Sequence, residues 1–352
     1  MDEQLYKQVI IVGGGIGGLA TAKLLSEQNI PFTLVEKSAR LGGHTKDWAC
    51  MATEVCNSCS CCSVFDFEDF VASSRGSRIL IRHELSGVIR SDAGISAVKL
   101  QDLDSGTERE IPASSVVIAV GFEPFDPSEK GFWGYGMHRG VMTLVELNNF
   151  MRLNEFHQLR RPDGSPANLA FFQCVGSRDK SIGSNYCSQY CCSAAIRAAL
   201  RCLYEYPDTT ISIFYIDLQI SGKTGQLLID EAQKKGVRFV QGVPGEILPL
   251  EDGRLQVISQ REGSNYTEYF DQVVLSVGQR PAPSNNKIST ITGVPLNEFG
   301  FLQSKSELDS ARTPVSGIYL SGTCSGPATI PDVLLTAGKV VSAILEDTKK
   351  TI

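Results

Sequence analysis

The sequence lacks long apolar runs and clusters of basic residues. No stretch of the 352 residues approaches the roughly 18 apolar residues that a membrane-spanning helix needs. Lysine and arginine are dispersed and the net charge is −6, so neither a nucleic acid nor an anionic membrane is an expected partner. The first residues lack the basic and apolar regions of a signal peptide, and we therefore expect a cytoplasmic protein.

An even set of cysteines, as in a disulfide-stapled secreted domain, is also missing. The chain has eleven cysteines, crowded into residues 50–62 and 174–202, with Cys324 alone near the end. Clustered cysteines in a cytoplasmic protein are more typical of metal or redox sites than of a disulfide framework. Cys202, which lies in a predicted helix, is interpreted as an ordinary core residue.

A dinucleotide-binding fingerprint lies near the start of the chain. An apolar strand at 9–12 leads into G-x-G-x-x-G at Gly13, Gly15 and Gly18, and a helix is predicted at 19–28. The first glycine permits the tight turn, the second lets the backbone approach a pyrophosphate, and the third lets helix and strand pack closely. The helix N-terminus adds unpaired N–H groups and a positive dipole end for the phosphates.

The second strand of this unit, predicted at 32–35, ends in Glu36, whose carboxylate is placed to accept hydrogen bonds from ribose hydroxyls. The fingerprint alone fits NAD or FAD. Three later segments favour FAD. They are the Gly42-Gly43 pair, the strand–Gly–x–x–Pro element at 115–124, and the strand-then-helix element at 317–338, both typical of FAD domains in this superfamily.

The terminal strand departs from the usual pattern. Such a strand commonly ends in Gly-Asp, and the Asp binds a ribityl hydroxyl. This one ends in Gly322-Thr323-Cys324. A Thr hydroxyl or a backbone N–H would therefore replace the Asp. Cys324 would then lie near the flavin, either in a redox role or as a small residue filling a tight corner. Leu85 is the expected adenine contact, by analogy with related flavoproteins. The predicted FAD site consists of Gly13, Gly15, Gly17, Gly18, Glu36, Lys37, Gly42, Gly43, Leu85, Gly121, Gly322, Thr323 and Cys324.

The rest of the chain indicates a split FAD domain. Residues 76–122 have the alternation and turn signals of a small β meander, and residues after 167 follow a β–α–β–α–β order that predicts a parallel sheet. A second strand–Gly–x–x–Pro pattern at 273–283 marks the exit from that inserted domain. We therefore predict an α/β flavoprotein with two dinucleotide-binding domains, like thioredoxin and glutathione reductases. Its FAD domain would comprise residues 1–134 and 282–352, and its inserted domain residues 135–281.

The inserted domain lacks the glycines of a nucleotide-binding loop. Its first turn, after the apolar strand, has one glycine where a pyrophosphate cradle needs three, and it offers thiols instead. One cysteine follows the strand and three begin the next helix, at Cys174, Cys187, Cys191 and Cys192. Four thiolates from one strand end and one helix start can converge on a [4Fe–4S] cube, whose negative charge the helix N-terminus would stabilise.

Zinc is the alternative for the same four residues, because four cysteines also form tetrahedral structural sites. The adjacent pair Cys191-Cys192 disfavours a single ion, since neighbouring side chains on a helix diverge by about 100°. A larger cube tolerates that divergence better, and soft thiolate ligands suit iron–sulfur chemistry. The pattern therefore favours a cluster over zinc.

Four segments, CVGSRD, YCS-x-x-CC, FYIDL and GTC-x-GP-x-x-IPD, strongly resemble the A subunits of heterodisulfide reductases, and the similarity extends over nearly the whole chain. Methanogen members of that family carry FAD, a cluster bound by the four-cysteine motif, and additional ferredoxin-type modules. This sequence has no C-x2-C-x2-C-x3-C run and resembles the short, core-only form of heterodisulfide-reductase-like complexes in sulfur-oxidising bacteria. The resemblance implies FAD at Gly13, Gly15, Gly18, Glu36 and Thr323 and a [4Fe–4S] cluster at Cys174, Cys187, Cys191 and Cys192. It also implies a homodimer core and partner subunits that perform the thiol–disulfide chemistry.

A second group of cysteines, which follows the Gly42-Gly43 pair, is open to three interpretations. Cys56-x-x-Cys59 has the position of the redox-active pair in disulfide reductases and would then be an exchange dithiol. The same residues would alternatively bind a labile or partner-completed cluster, or form a surface thiol patch with packing roles only. The members of this group are Cys50, Cys56, Cys59, Cys61 and Cys62.

These patterns support an electron-transfer protein with FAD and a [4Fe–4S] cluster, acting within a larger complex, as the leading hypothesis. The first alternative is a self-contained NAD(P)H-dependent disulfide reductase that uses Cys56 and Cys59. The second is an assembly scaffold with a structural zinc and a vestigial flavin site.

Overall fold

The computed structural model describes residues 8–57, 59–74, 76–92, 94–220, 222, 224–261 and 263–350. The chain divides into two compact units, each formed from separate stretches of sequence. The first unit comprises Met1–Lys46, Ser60–Glu123 and Pro281–Ile352, and the second comprises Asp47–Cys59 and Pro124–Arg280.

Strands and helices alternate in both units. The strands of the described residues are β1 (Val9–Val12), β2 (Phe32–Glu36), β3 (Arg78–Ile81), β4 (His83–Ser91), β5 (Gly94–Asp102), β6 (Glu108–Pro112), β7 (Ser115–Ile118), β8 (Phe122–Pro124), β9 (Val141–Thr143), β10 (Asn168–Val175), β11 (Thr210–Tyr215), β12 (Arg238–Gln241), β13 (Pro244–Pro249), β14 (Leu255–Arg261), β15 (Ser264–Phe270), β16 (Gln272–Val277), β17 (Gln279–Pro281) and β18 (Ile318–Leu320). The α-helices are α1 (Ile16–Glu27), α2 (Ser63–Ala72), α3 (Leu144–Arg152), α4 (Cys191–Glu205), α5 (Gly225–Lys234), α6 (Asn285–Thr292) and α7 (Ile330–Lys350).

The described part of the first unit is built on a parallel sheet with the strand order β18-β7-β1-β2-β3. Residues of β1 are buried on both faces, as expected for a strand inside a parallel sheet. Helices α1 and α7 pack on one face. The antiparallel sheet β4-β5-β6 and helix α6 cover the other.

Strand β3 differs from the prediction, which placed it in the meander. It pairs in parallel with β2, with Val35 opposite Leu80. The reason is that β3 has apolar side chains for both faces: Ile79 packs on the α1 side and Leu80 on the meander side. The meander itself is formed by the three later strands, β4, β5 and β6.

The second unit has the predicted parallel β–α–β–α–β order. Its sheet runs β12-β11-β10-β16-β9, with α3, α4 and α5 on one face. A three-stranded antiparallel sheet, β13-β14-β15, supplies residues such as Ile247, Leu255 and Phe270 to the core on the opposite face. That second sheet was not predicted from the sequence.

The boundaries of the units correct the predicted domain limits of 134 and 282. The crossing that corresponds to the predicted limit of 134 falls between Glu123 and Pro124. The reason is that Phe125 and Trp133 pack in the core of the second unit, where the Trp133 indole N–H donates to the Pro244 carbonyl at 3.1 Å. The return crossing, between Arg280 and Pro281, differs from the predicted one by a single residue.

The segment Asp47–Cys59 also belongs to the second unit, although the prediction placed it in the FAD domain. Ala49 and Met51 join the apolar core formed by α3 and α4, and this burial explains the assignment. No helix within the described ranges is long and apolar enough to cross a membrane.

Candidate functional site

The glycine loop of the first unit connects β1 to α1. Gly13 has φ +111°, and a Cβ there would lie 2.3 Å from the Ala119 carbonyl oxygen. A Cβ at Gly18 would lie 1.9 Å from the Gly13 oxygen, so neither position accepts a side chain. At Gly15, by contrast, the nearest atom to such a Cβ is 4.0 Å away, and this face of the loop is open. The loop therefore has the two packed glycines and the one open glycine that a pyrophosphate cradle requires.

Glu36, at the end of β2, is held by backbone amides. Its Oε2 accepts a hydrogen bond from Gly14 N at 2.7 Å, and its Oε1 accepts one from Ser38 N at 2.7 Å. These bonds fix the carboxylate beside the loop, and the remaining lone pairs can accept from a ribose. Lys37, the next residue of the predicted site, is exposed.

The Gly42-Gly43 pair packs directly on the glycine loop. Gly42 N donates to the Gly14 carbonyl oxygen at 2.8 Å. A Cβ at Gly43 would lie 3.0 Å from the Gly15 Cα, so the two chain segments approach backbone to backbone. The structure thus brings the first four predicted elements of the FAD site together: the loop, the α1 N-terminus, Glu36 and the glycine pair.

The terminal element lies beside the end of β7. Thr323 is buried, and its Oγ1 lies 4.0 Å from the position a Cβ would take on Gly121. Cys324 points into the core, where its thiol donates to the carbonyl oxygens of Ile118 (3.2 Å) and Ser321 (3.5 Å). Burial raises the pKa of this thiol to about 12. These contacts are those of a packed core thiol, the second of the two roles that the sequence left open.

Leu85, the predicted adenine contact, is buried among apolar residues on the meander side of the sheet. Its cross-strand partner is Leu100 of β5. The adenine contact therefore stays a prediction.

The second site is the group Cys174, Cys187, Cys191 and Cys192, called the four-cysteine site below. Cys174 lies near the end of β10, Cys187 in the following loop, and the last two are the first residues of α4. Cys174, Cys191 and Cys192 are buried and Cys187 is partly exposed. The 15-residue helix α4 begins without a side-chain cap, and its first two residues belong to the site.

Neighbouring thiols of this site affect the pKa values of Cys174, Cys191 and Cys192. Burial is the largest cause that raises the pKa of Cys174, to about 12, and charges at Cys192 and Cys187 raise it further while Arg178 opposes them. The interaction between the two adjacent thiols is the largest cause that raises the pKa of Cys191 and lowers that of Cys192. Within the ranges described above, no three or more His, Cys, Asp or Glu side chains are arranged to hold a metal ion.

The loop that carries Cys187 is fixed to the end of β16. Tyr190 donates its hydroxyl to the Val277 oxygen at 2.6 Å, and Tyr186 donates to the Gln279 oxygen at 3.0 Å. The Ser188 hydroxyl accepts from Gln279 N at 2.9 Å. Because three residues between 186 and 190 are anchored in this way, the loop holds Cys187 near the other thiols. Sequence reasoning did not identify this tyrosine pair.

An ion pair and a backbone bond add electrostatic features to the same loop. Arg178 pairs with Asp217, which follows β11, and its positive charge faces Cys174. Gln189 N donates to the Cys187 sulfur at 3.3 Å. Positive charge and N–H donors both favour thiolates over thiols.

The other cysteine group is divided between the units. Cys50, Cys56 and Cys59 lie in the second unit, whereas Cys61 and Cys62 lie in the first. In the described residues Cys50, Cys56 and Cys62 are exposed, Cys59 is partly buried and Cys61 is buried.

The segment Asp47–Cys59 is attached to α4, the helix that starts with the two adjacent cysteines. Arg197 Nε donates to the Asn57 oxygen at 3.0 Å, and an Arg201 guanidinium nitrogen donates to the Ala52 oxygen at 2.9 Å. Ala49 N donates to the Asn148 side chain at 3.2 Å. Two arginines spaced four apart on one helix are a weak sequence signal, and this attachment was not predicted from them.

A profile of the pyridine nucleotide-disulphide oxidoreductase family matches residues 7–339. The chain therefore belongs to the pyridine nucleotide-disulphide oxidoreductases, and it is an oxidoreductase with a two-dinucleotide-binding flavoprotein fold. Within this class, its curated relatives are A subunits of heterodisulfide reductases, as the sequence motifs predicted.

One such relative is the A subunit of the H(2):CoB-CoM heterodisulfide,ferredoxin reductase of Methanothermobacter thermautotrophicus, 35% identical over 238 residues, with 65% of this chain and 36% of the relative covered. Another is the A subunit of the Ferredoxin/F(420)H(2)-dependent CoB-CoM heterodisulfide reductase of Methanosarcina acetivorans, 25% identical, with 98% of this chain and 54% of the relative covered. The chain thus spans about a third to a half of the length of these relatives.

Two thioredoxin reductases are among the similar solved structures. The enzyme from T. acidophilum has a TM-score of 0.63 and 18% identity, with 98% of this chain and 99% of that chain covered. The enzyme from Lactococcus lactis has a TM-score of 0.64 and 16% identity, with the same coverage. At these identities the likeness shows the fold.

Proposed function

We propose that this protein is an electron-transfer subunit that holds FAD in its first unit and a [4Fe–4S] cluster in its second. It would pass electrons to partner subunits of a heterodisulfide-reductase-like complex in sulfur or disulfide metabolism. The observation that carries the proposal is the position of the four cysteines, which lie between the end of β10 and the start of α4, at the turn where a second nucleotide would need its glycine loop.

The residues of the first unit fit FAD. The open face of Gly15 suits a pyrophosphate, the fixed carboxylate of Glu36 suits a ribose, and the N-terminus of α1 supplies unpaired N–H groups. The pyridine nucleotide-disulphide oxidoreductase family also supports FAD, since the fold is that of flavoprotein reductases. Thr323 and Gly322 would take the ribityl end, in place of the usual Asp.

The chemistry of the four cysteines and their surroundings suits a cluster, although the described side chains are not arranged around a single ion. A cube needs four thiolates and a setting that tolerates its negative charge. The lowered pKa of Cys192, the guanidinium of Arg178 and the N-terminus of α4 all favour negative charge on the sulfurs. When bound, FAD would supply two-electron chemistry and the cluster one-electron chemistry.

Partner subunits follow from the same proposal. The named relatives are A subunits, a designation that implies companions in those proteins. We propose that companions of this chain carry the thiol–disulfide chemistry and that two copies of the chain form the core of the complex.

The test is the response of the purified, flavin-loaded protein to two reductants under anaerobic conditions. We expect NADH and NADPH to leave the flavin absorbance near 450 nm unchanged over minutes, because the turn after β10 has one glycine in place of the three of a nucleotide cradle. Dithionite should bleach the flavin and produce a cluster signal in electron paramagnetic resonance. Rapid bleaching by NAD(P)H would instead support a self-contained disulfide reductase, and dithionite reduction without a cluster signal would overturn the two-cofactor proposal.

A further inference from the structure

Three buried polar side chains next to the four-cysteine site have no hydrogen-bond partner among the described residues. They are Gln173, with both its Oε1 and Nε2 unpaired, and the hydroxyls of Ser177 and Ser276. All three residues are almost fully buried: Gln173 is 1% exposed, Ser177 2% and Ser276 0%. An unpaired buried polar group destabilises the folded state, and folded proteins contain few of them. Three unpaired polar side chains beside one site therefore indicate that a bound group supplies their missing hydrogen-bond partners.

The register of the central strands places two of these side chains on one face of the sheet. Strands β10 and β16 pair in parallel with Phe171 opposite Val274, and the register shifts between Phe172 and Val175. Phe171 and Val274 both pack against α4. Since side chains alternate along a strand, Gln173 and Ser276 lie two residues further along on that same face.

The register shift also explains the position of Cys174. Two residues of β10, Gln173 and Cys174, span the shift opposite Ser276 of β16. Cys174 has φ +61°, a left-handed conformation that is unusual for a residue with a Cβ. Such bulges redirect side chains, and this one brings Gln173 and a candidate ligand to the same strand end. Ser177 N closes the turn by donating to the Cys174 oxygen at 3.2 Å.

Helix α4 covers this face and begins, at the same edge of the sheet, with Cys191 and Cys192. The side-chain amide N–H of Gln173 and the hydroxyl of Ser276 are hydrogen-bond donors, and thiolate or sulfide sulfurs are acceptors. A backbone example of this bond already exists at the site, where Gln189 N donates to the Cys187 sulfur at 3.3 Å.

We propose that Gln173 and Ser276 are positioning residues that donate hydrogen bonds to the sulfur atoms of the cluster. This inference rests on the proposed function, because it needs the cluster at the four-cysteine site. Hydrogen bonds to cluster sulfurs stabilise the reduced form, which is the more negative one, and so raise the reduction potential. The two residues therefore set the potential of the cluster without ligating it, and Ser177 is placed to contribute a third bond.

The experiment uses the full chain, reconstituted anaerobically with iron and sulfide, and the variants Gln173→Met and Ser276→Ala. Met has nearly the length of Gln but no donor, and Ala removes only the hydroxyl. We expect both variants to keep the iron content of the parent protein. In a redox titration followed by electron paramagnetic resonance, each should shift the midpoint potential to a more negative value, and the double variant should shift it further.

The matched control is Thr209→Val. Thr209 is another buried residue of the second unit whose hydroxyl has no partner among the described residues, but it lies just before β11, at the opposite end of the strands from the cysteines. Its substitution should leave the potential unchanged. An unshifted potential in Gln173→Met and Ser276→Ala, or an equal shift in Thr209→Val, would overturn the assignment. A parent protein that holds no iron would instead refute the proposed function, so the two failures are distinguishable.

Discussion

At the residue scale, the four-cysteine site depends on side chains that differ in accessibility and acidity. Cys174 and Cys191 are buried thiols with raised pKa values, whereas the neighbouring Cys192 has a pKa lowered to about 7. Cys187 is the most accessible of the four. Because cluster ligands are thiolates, binding of a cluster would require the buried thiols of Cys174 and Cys191 to lose their protons.

The ligand role of Cys187 leads to a first prediction. Cys187→Ala should lose the iron and sulfide of the reconstituted protein but keep its FAD, because the two sites lie in different units. The control is Cys202→Ala, which removes a buried thiol of α4 outside the four-cysteine site and should retain both cofactors. Assays of iron, acid-labile sulfide and flavin measure the cofactor content of each variant. Joint loss of iron and flavin in Cys187→Ala would refute the two-site arrangement.

A second prediction concerns Asp179, in the loop after Cys174. Its pKa is lowered from 3.8 to about 2, first by a hydrogen bond from Lys130 and then by Ser181. Because the folded-state pKa lies below the unfolded one, the carboxylate stabilises the fold above about pH 4 and loses this effect as the pH falls toward 2. Asp179→Asn should therefore lower the free energy of unfolding by about 1–2 kcal/mol at neutral pH.

The difference between Asp179→Asn and the parent protein should shrink as the pH falls from 7 toward about 3. Tryptophan fluorescence during urea unfolding suits the measurement, since both tryptophans of the chain, Trp48 and Trp133, lie in the second unit. Asp163→Asn, which changes an exposed turn aspartate that accepts from Ser165 N at 2.9 Å, should have a smaller effect. A destabilisation by Asp179→Asn that does not vary with pH would contradict the ion-pair explanation.

The site residues differ in how far sequence could predict them. Gly18 and Glu36 follow from a local motif, because the atoms that constrain them, the Gly13 oxygen and the Gly14 N–H, belong to the same motif. Gly13 also follows from the motif, although the atom closest to a Cβ there is the oxygen of the distant Ala119. The unpaired Gln173 and Ser276 could not be predicted, since their common location depends on a register shift between strands about a hundred residues apart in the chain.

At the element scale, α4 has two functions. Its N-terminus carries two of the four cysteines, and its arginines hold the segment Asp47–Cys59 by backbone carbonyls. The segment with Cys50 and Cys56 is thus attached to the helix that would support the cluster.

The third prediction tests this attachment. Arg197→Ala removes a charge-assisted hydrogen bond to the Asn57 carbonyl, which is worth about 1–2 kcal/mol. Amide hydrogen exchange in residues 48–57 should therefore become about 5–30-fold faster. Arg160→Ala breaks a surface ion pair with Asp208 in the same unit and should leave exchange in 48–57 unchanged. Equal exchange rates in the parent protein and Arg197→Ala would show that the segment is held by its apolar contacts alone.

Elements with strong apolar patterns were predicted, and elements without them were missed. β10, α4 and β11 combine buried apolar residues with clear turns, and their order followed from the sequence. β15, with the sequence SNYTEYF, is largely exposed. It therefore lacks the alternation of apolar and polar residues by which a half-buried strand is recognised in a sequence. The attachment of Asp47–Cys59 rests on Ala49 and Met51, which are too few to mark a long-range contact.

At the scale of the whole molecule, the chain keeps the architecture of a two-dinucleotide reductase but replaces the second nucleotide loop with thiols. The first unit has a complete glycine loop, whereas the equivalent turn of the second unit has Cys174 in a left-handed conformation and one glycine. The cores of the two units are separate groups of residues, so a change of ligand in one leaves the packing of the other intact. This arrangement is consistent with one unit for a flavin and the other for a one-electron carrier.

The most direct test of this account is the anaerobic quantification of iron, acid-labile sulfide, zinc and flavin in one preparation of the purified protein. We predict about four iron, about four sulfide and about one FAD per chain, with negligible zinc, because the four-cysteine site would hold one cube and the glycine loop one dinucleotide. About one zinc per chain with no iron and no sulfide would contradict the central claim that the second unit is an electron carrier.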